Sequence, residues 1–134
     1  LNYEYNIVLL GGNQEKELLL HIDTESLNNK NLLNLVAVTD VNESIAAASL
    51  CNLVVGIDTG MQHIAAASGS KTLSIFGPTN PITHGAYADN AEFVEADVEC
   101  KYCYGTKMYV ECKDRKCLKN ISVDIVLNKI REIV

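Results

Sequence analysis

The chain has 134 residues, 48% of them hydrophobic, which is enough for a normal buried core and fits a single domain. Its net charge of −6 excludes a general nucleic-acid binder. No apolar run approaches the roughly 20 residues needed to span a bilayer, and no signal peptide precedes the first strand.

Asn6-Ile7-Val8-Leu9-Leu10 is a short apolar run that stops at Gly11-Gly12, as a buried parallel strand does before a tight turn. Asn13 is placed to cap a short helix reaching about Ile22, with Glu15 in its first turn. Residues 23–31 are polar and Asn-rich and read as loop. Leu33 to Val38 forms the second expected strand, and Asn42 the cap of a helix with Ile45, Ala48 and Ser49 on one face. Leu53 to Ile57 is the third strand and Gly60 to Ala67 the third helix. Gly69 stands where a left-handed cap residue belongs. Thr72 to Phe76 is the fourth strand, followed by the turn Gly77-Pro78-Thr79-Asn80-Pro81 and a short strand around Phe93 to Glu95. No clear period runs from Asp97 to Asn120. Ser122 caps a last helix to Ile133, with Val123, Val126, Leu127, Ile130 and Ile133 as its apolar stripe. Strands alternating with helices at this spacing imply an α/β fold, a Rossmann-like, mainly parallel sheet flanked by helices.

The segment from Val54 to Ala67 carries the most chemistry. A buried strand ends at Asp58, turns on Thr59-Gly60, and enters a helix bearing His63 and Ala65-Ala66-Ala67. Ligands of open α/β sheets bind at the carboxyl ends of the strands. A helix N-terminus there offers unpaired N–H groups to a phosphate. Asp58 is therefore either a cap for the next helix or an acceptor for ligand hydroxyls. Gly60 opens the backbone to close approach, and His63, about a turn on, can donate to a diphosphate. The loop after the next strand adds the Thr79 hydroxyl at the same edge. Glu15 or Glu17 could accept from ribose hydroxyls, or simply face solvent.

Of five cysteines, Cys51 reads as an inert buried thiol. Cys100-Lys101-Tyr102-Cys103 followed by Cys112 and Cys117 supplies four thiolates, enough for a tetrahedral zinc, with reduced thiols or a disulfide as the alternatives. Without a secretory signal a reduced, cytoplasmic setting is expected. Lys101, Lys107, Lys113, Arg115, Lys116 and Lys119 crowd the same segment. It is a solvated basic loop, an anion-facing loop or a contact with a membrane surface.

With these segments in order, the chain resembles the C-terminal half of glycosyltransferase family 9, the lipopolysaccharide heptosyltransferases. The carrying residues are Leu9-Leu10-Gly11-Gly12 with Glu15, then Asp58-Thr59-Gly60-Met61-Gln62-His63-Ile64-Ala65-Ala66-Ala67, then Phe76-Gly77-Pro78-Thr79-Asn80-Pro81 and the late cysteines. The resemblance implies one half of a GT-B enzyme, with residues 1–134 as the C-terminal nucleotide-sugar-binding domain. The donor is ADP-heptose or similar, and transfer inverts the anomeric centre and needs no metal or other cofactor for the chemistry. It implies that Asp58 binds the donor sugar and that Thr59, Gly60 and His63 lie near the diphosphate. Glu15 would hold the ribose, and backbone around Val41 would lie against the adenine. The acceptor, a lipopolysaccharide core, and the catalytic base belong to an N-terminal domain not contained in this sequence. The chain starts without Met, immediately before a strand, as expected of a piece of a longer protein. The expected location is the cytoplasm, at the inner face of the inner membrane, with peripheral membrane contact and no nucleic-acid partner. The competing reading is a non-enzymatic Rossmann-like module whose Cys-rich basic loop binds zinc or a partner. A relative using a UDP-sugar is a third.

Overall fold

The computed structural model describes residues 5–22 and 31–134. The polar loop expected over residues 23–31 lies almost entirely outside the described residues. The chain divides into two compact units, residues 1–46 and 47–134. No helix among the described residues is long and apolar enough to cross a membrane.

In the first unit, strands β1 (Ile7–Leu9) and β2 (Leu32–Asn34) pair in parallel. After β1 the chain makes a 3-10 turn over Asn13–Glu15 and runs into the one-turn helix α1 (Lys16–Leu19). Gly12, rather than Asn13, is the cap position, and the Glu15 carboxylate accepts from the Gly12 N–H at 2.7 Å. The second strand sits earlier than the apolar run suggests. The Asn34 side chain accepts the Val36 N–H at 3.0 Å, while Leu35 and Ala37 still donate to the Leu9 and Gly11 carbonyls at 2.9 and 2.8 Å. Ala37 follows with φ of 56°, in the left-handed region. Helix α2 (Val41–Ser49) starts one residue before Asn42, the expected cap. Asp40 and Glu43 exchange side-chain and backbone bonds, both 2.8 Å, which is a capping box.

In the second unit β3 (Leu53–Ile57), β4 (Lys71–Phe76) and β5 (Ala91–Glu95) form a parallel sheet in that order. Parallel neighbours require crossovers. Helix α3 (Gly60–Ala67) makes the first and the one-turn helix α4 (Pro81–His84) lies in the second. Residues 98–120 hold two further short helices, α5 (Lys107–Glu111) and α6 (Lys116–Lys119), where the sequence shows no period. Helix α7 (Val123–Ile133) closes the chain, and the Ser122 hydroxyl accepts from the Ile125 N–H as its cap.

Strand β4 is covered on both faces. Leu73, fully buried, clusters with Val94 and Ile130, and Ile75, Val126, Leu127 and Ile133 pack around them. This face is the α7 side. The alternate residues Thr72 and Ser74 are also buried, as the period-two geometry of a strand demands of a sheet with helices on both sides. Ser74 reaches α3 through Gln62. The small side chains Ala65 and Ala66 are buried in α3 and let it approach the sheet closely. The stripe of α7 begins at Val126. Val123, expected to belong to it, is 73% exposed because it opens the first turn, before the helix meets the sheet. Past α3, Gly69 has φ of 94°, as its cap role requires. The Asn90 amide ties the carbonyls of Ala66 and Ser70 together at 3.1 and 2.7 Å.

Candidate functional site

The register fixes which loops share an edge. Ile57 pairs with Ile75, and Phe76 with Glu95. The turns that begin at Asp58, Gly77 and Ala96 therefore all leave from the carboxyl edge of the three-stranded sheet, where ligands of parallel sheets bind.

Asp58 is half-buried on that edge, neither sealed in the core nor on the opposite rim. Thr59 occupies the cap position of α3 with extended backbone (φ −145°, ψ 165°), and no side chain caps the helix. The capping alternative for Asp58 is thus not realised. The first N–H groups of α3 lack side-chain acceptors and carry the positive end of the helix dipole. Thr59, Gly60 and His63 are exposed, and Thr79 is half-buried on the adjacent loop. Such an arrangement can receive an anion on backbone N–H groups and offer a carboxylate to neighbouring hydroxyls.

A buried polar contact holds this turn in place, and sequence reasoning passed over it. Gln62, 3% exposed, accepts from the buried Ser74 hydroxyl at 3.2 Å. Its amide nitrogen lies 2.5 Å from the position a Cβ on Gly56 would take. Gly56 is therefore needed for close approach of strand and helix rather than for a special backbone angle. The signals were a lone Gly in an apolar strand and a lone amide in an alanine-rich helix.

The loop after β4 is equally confined. A Cβ on Gly77 would lie 2.8 Å from the Leu118 side chain, and the Pro78 carbonyl accepts the Tyr104 N–H at 3.0 Å. Asn80 caps α4 by accepting from the Ile82 N–H, with Pro81 in its first turn.

At the end of β5 the Glu95 carboxylate accepts from Lys101 at 2.8 Å and from the Tyr102 hydroxyl at 2.7 and 2.9 Å. Burial pushes the Glu95 carboxyl up, but the bonds from Lys101 and Tyr102 outweigh it and hold the group below its ordinary value. The bond to Glu95 raises Lys101 and Tyr102 in turn. Tyr102 has φ of 63°, a conformation non-glycine residues rarely adopt.

Cys117 is buried, Cys103 and Cys112 are half-buried, and Cys100 is exposed. Burial, then Cys103, Cys100 and Cys112 in that order, pushes the Cys117 thiol up, so the other three thiols lie within electrostatic reach of it. Among the described residues no three cysteine, histidine or acidic side chains are disposed to hold a metal ion. Cys51, read as buried, is half-buried, and its thiol donates to the Ala47 carbonyl. Glu15 and Val41 lie in the other unit. Glu15 is exposed with one oxygen engaged by Gly12, and Val41, the first residue of α2, is 68% exposed.

Residues 1–113 match the family model of glycosyltransferase family 9 (heptosyltransferase). The chain belongs to glycosyltransferase family 9. Lipooligosaccharide heptosyltransferase 2 of Campylobacter jejuni is 29% identical over 137 residues, which take in 96% of this chain and 41% of the relative. Lipopolysaccharide heptosyltransferase 1 of Pseudomonas aeruginosa is 38% identical over 77 residues, 58% of this chain and 21% of the relative. The chain thus spans about two fifths of the length of the Campylobacter family 9 enzyme. Among solved structures, E. coli ADP-heptose lipopolysaccharide heptosyltransferase II superposes with a TM-score of 0.73 at 21% identity, over 96% of this chain and 36% of that one. A family 9 glycosyltransferase from Veillonella parvula superposes at 0.75 with 22% identity, over 98% and 37%. E. coli heptosyltransferase WaaC, solved with ADP, superposes at 0.68 with 20% identity, over 96% and 34%. At these identities the structural likeness establishes the fold, a parallel α/β arrangement shared with family 9 enzymes.

Proposed function

We propose that this chain is the donor-binding part of an inverting heptosyltransferase of lipopolysaccharide core synthesis, and that its ligand is a nucleoside-diphosphate sugar, ADP-heptose or a near analogue. The carrying observation is the uncapped start of α3 beside the half-buried Asp58, on the same sheet edge as Thr79. In this reading the diphosphate sits on the N–H groups after Thr59, with Gly60 allowing close approach and His63 donating a further bond. The Asp58 carboxylate accepts from sugar hydroxyls. That WaaC was solved with ADP supports an adenine nucleotide. The assignment of Glu15 to the ribose and of Val41 to the adenine rests on the family resemblance. The acceptor sugar, the general base and any contact with the inner face of the membrane belong to the rest of a longer enzyme, so this chain alone binds donor and transfers nothing.

Calorimetric titration of the chain with ADP tests the reading. The expected result is saturable 1:1 binding that His63→Ala weakens about tenfold, the loss of about 1.4 kcal/mol that one charge-assisted hydrogen bond contributes. A folded chain that gives no heat with ADP or ADP-sugar, or that binds equally well after His63→Ala and Asp58→Asn, contradicts it.

A further inference from the structure

The register brings a second charged group to the edge that carries Asp58. Ile57 pairs with Ile75, and Ile75 with Val94. Asp58 and Glu95, the next residues along, therefore stand at one level, on either side of Phe76. Two interstrand spacings, about 10 Å, separate their backbones. The loop that begins at Gly77 leaves the sheet between them. A nucleoside-diphosphate sugar is long enough to reach across that gap.

Glu95 is not a free carboxylate. The Lys101 ammonium donates to it at 2.8 Å, and the Tyr102 hydroxyl donates to its two oxygens at 2.9 and 2.7 Å. Lys101 also lies 5.3 Å from the centre of the Tyr102 ring. Its side chain is 30% exposed, whereas Lys107 and Lys119, each paired with an acid close by in sequence, are 83% and 66% exposed. Those two are surface pairs. Lys101 is instead a cation fixed at the end of a strand. The fixing is not free of strain, because Tyr102 holds φ of 63°, where non-glycine residues are rare. Such outliers persist where their surroundings over-determine them, and they collect at ligand clamps and active sites.

Charge balance gives this cation a role. A diphosphate is a multiply charged anion, and on this edge it lies beside the Asp58 carboxylate. The start of α3 offers about half a positive charge, which is too little to offset both. An ammonium has three donors, and Glu95 takes one of those on Lys101. The bond to Glu95 also raises Lys101, which keeps it charged at neutral pH.

We propose, on the reading of this edge as a donor site, that Lys101 is a further binding residue of it. Held by Glu95, its ammonium meets the diphosphate from the β5 side, while the start of α3 meets it from the β3 side. Glu95 is then a positioning residue, which acts through Lys101.

Calorimetric titration of the full chain with ADP at low and high salt tests this. Lys101→Gln should weaken ADP binding about tenfold, the loss of one charge-assisted hydrogen bond. The affinity of that variant should also fall less steeply with added salt than that of the unchanged chain. Tyr102→Phe loosens the turn at Glu95 but leaves the ammonium, and should keep its affinity. Circular dichroism reports whether each variant stays folded. The Lys101 Cε resonance of the unchanged chain should move as ADP saturates it, a readout that needs no variant. ADP binding that is indifferent to Lys101→Gln, or a Cε resonance that stays in place, overturns the proposal and leaves the donor reading standing. Equal losses in Lys101→Gln and Tyr102→Phe overturn it too, since the loss then follows the order of the turn and not the charge. A folded, unchanged chain that binds no ADP overturns both.

Discussion

Gln62 shows how a single buried amide can set the geometry of a ligand turn. It is one helical turn past Thr59, pinned to Ser74 on β4 and pressed on Gly56 of β3. Burying an amide is unfavourable unless it is bonded, so the contact specifies one position for α3 on the sheet and hence for the Asp58-Thr59-Gly60 turn. Gly56→Ala should cost about 2 kcal/mol, because the new methyl must displace a packed side chain or break its bond to Ser74. In a Gln62→Ala background the same change should cost much less, since the obstructing amide is gone. A double-mutant cycle by urea unfolding checks this, and additive effects would show that Gly56 and Gln62 do not oppose each other. Asp58 is the contrasting case. Its carboxylate stands at the mouth of a helix it does not cap, which leaves it available to a ligand.

Elements were legible where pattern and punctuation agree. Strand β3 and helix α3 have the bounds the sequence implies, because an apolar run stops at a carboxylate and a Thr-Gly turn opens an alanine-rich helix. Strand β2 was misplaced because hydrophobicity does not report backbone direction. Leu35, Val36 and Val38 continue the apolar run, yet the Asn34 side chain takes the Val36 N–H, Ala37 enters the left-handed region, and Val38 is exposed. The true start of α2 was present as Asp40-Val41-Asn42-Glu43, a capping-box signature, and α4 as Asn80-Pro81, a cap followed by proline. Helices α5 and α6 are too short to show a period. Between them and β5 the Glu95–Lys101–Tyr102 contact acts as a latch with a definite pH window. Glu95 is lowered in the folded chain, so its contribution is present above the unfolded carboxylate value and lost as pH falls through the folded one. Lys101 and Tyr102 are raised, so theirs is present below their unfolded values and lost as pH rises through the folded ones. Thermal melts across pH should show a midpoint that falls on the acid side below about pH 4, with Glu95→Gln flattening that limb. An unchanged acid limb in the variant would place the loss elsewhere.

At the scale of the whole molecule, the chain carries the fold of family 9 over about two fifths of the length of the Campylobacter relative. The three parallel strands of the second unit deliver Asp58, the free end of α3 and the Gly77-Pro78-Thr79 loop to one rim. Heteronuclear NMR with ADP as the titrant tests that rim most directly. The account predicts that the earliest and largest shifts fall on the backbone amides of Thr59 to His63, with Gly77 and Thr79 following. Shifts confined to the basic stretch from Lys101 to Lys119, or spread over the surface without saturation, would contradict it.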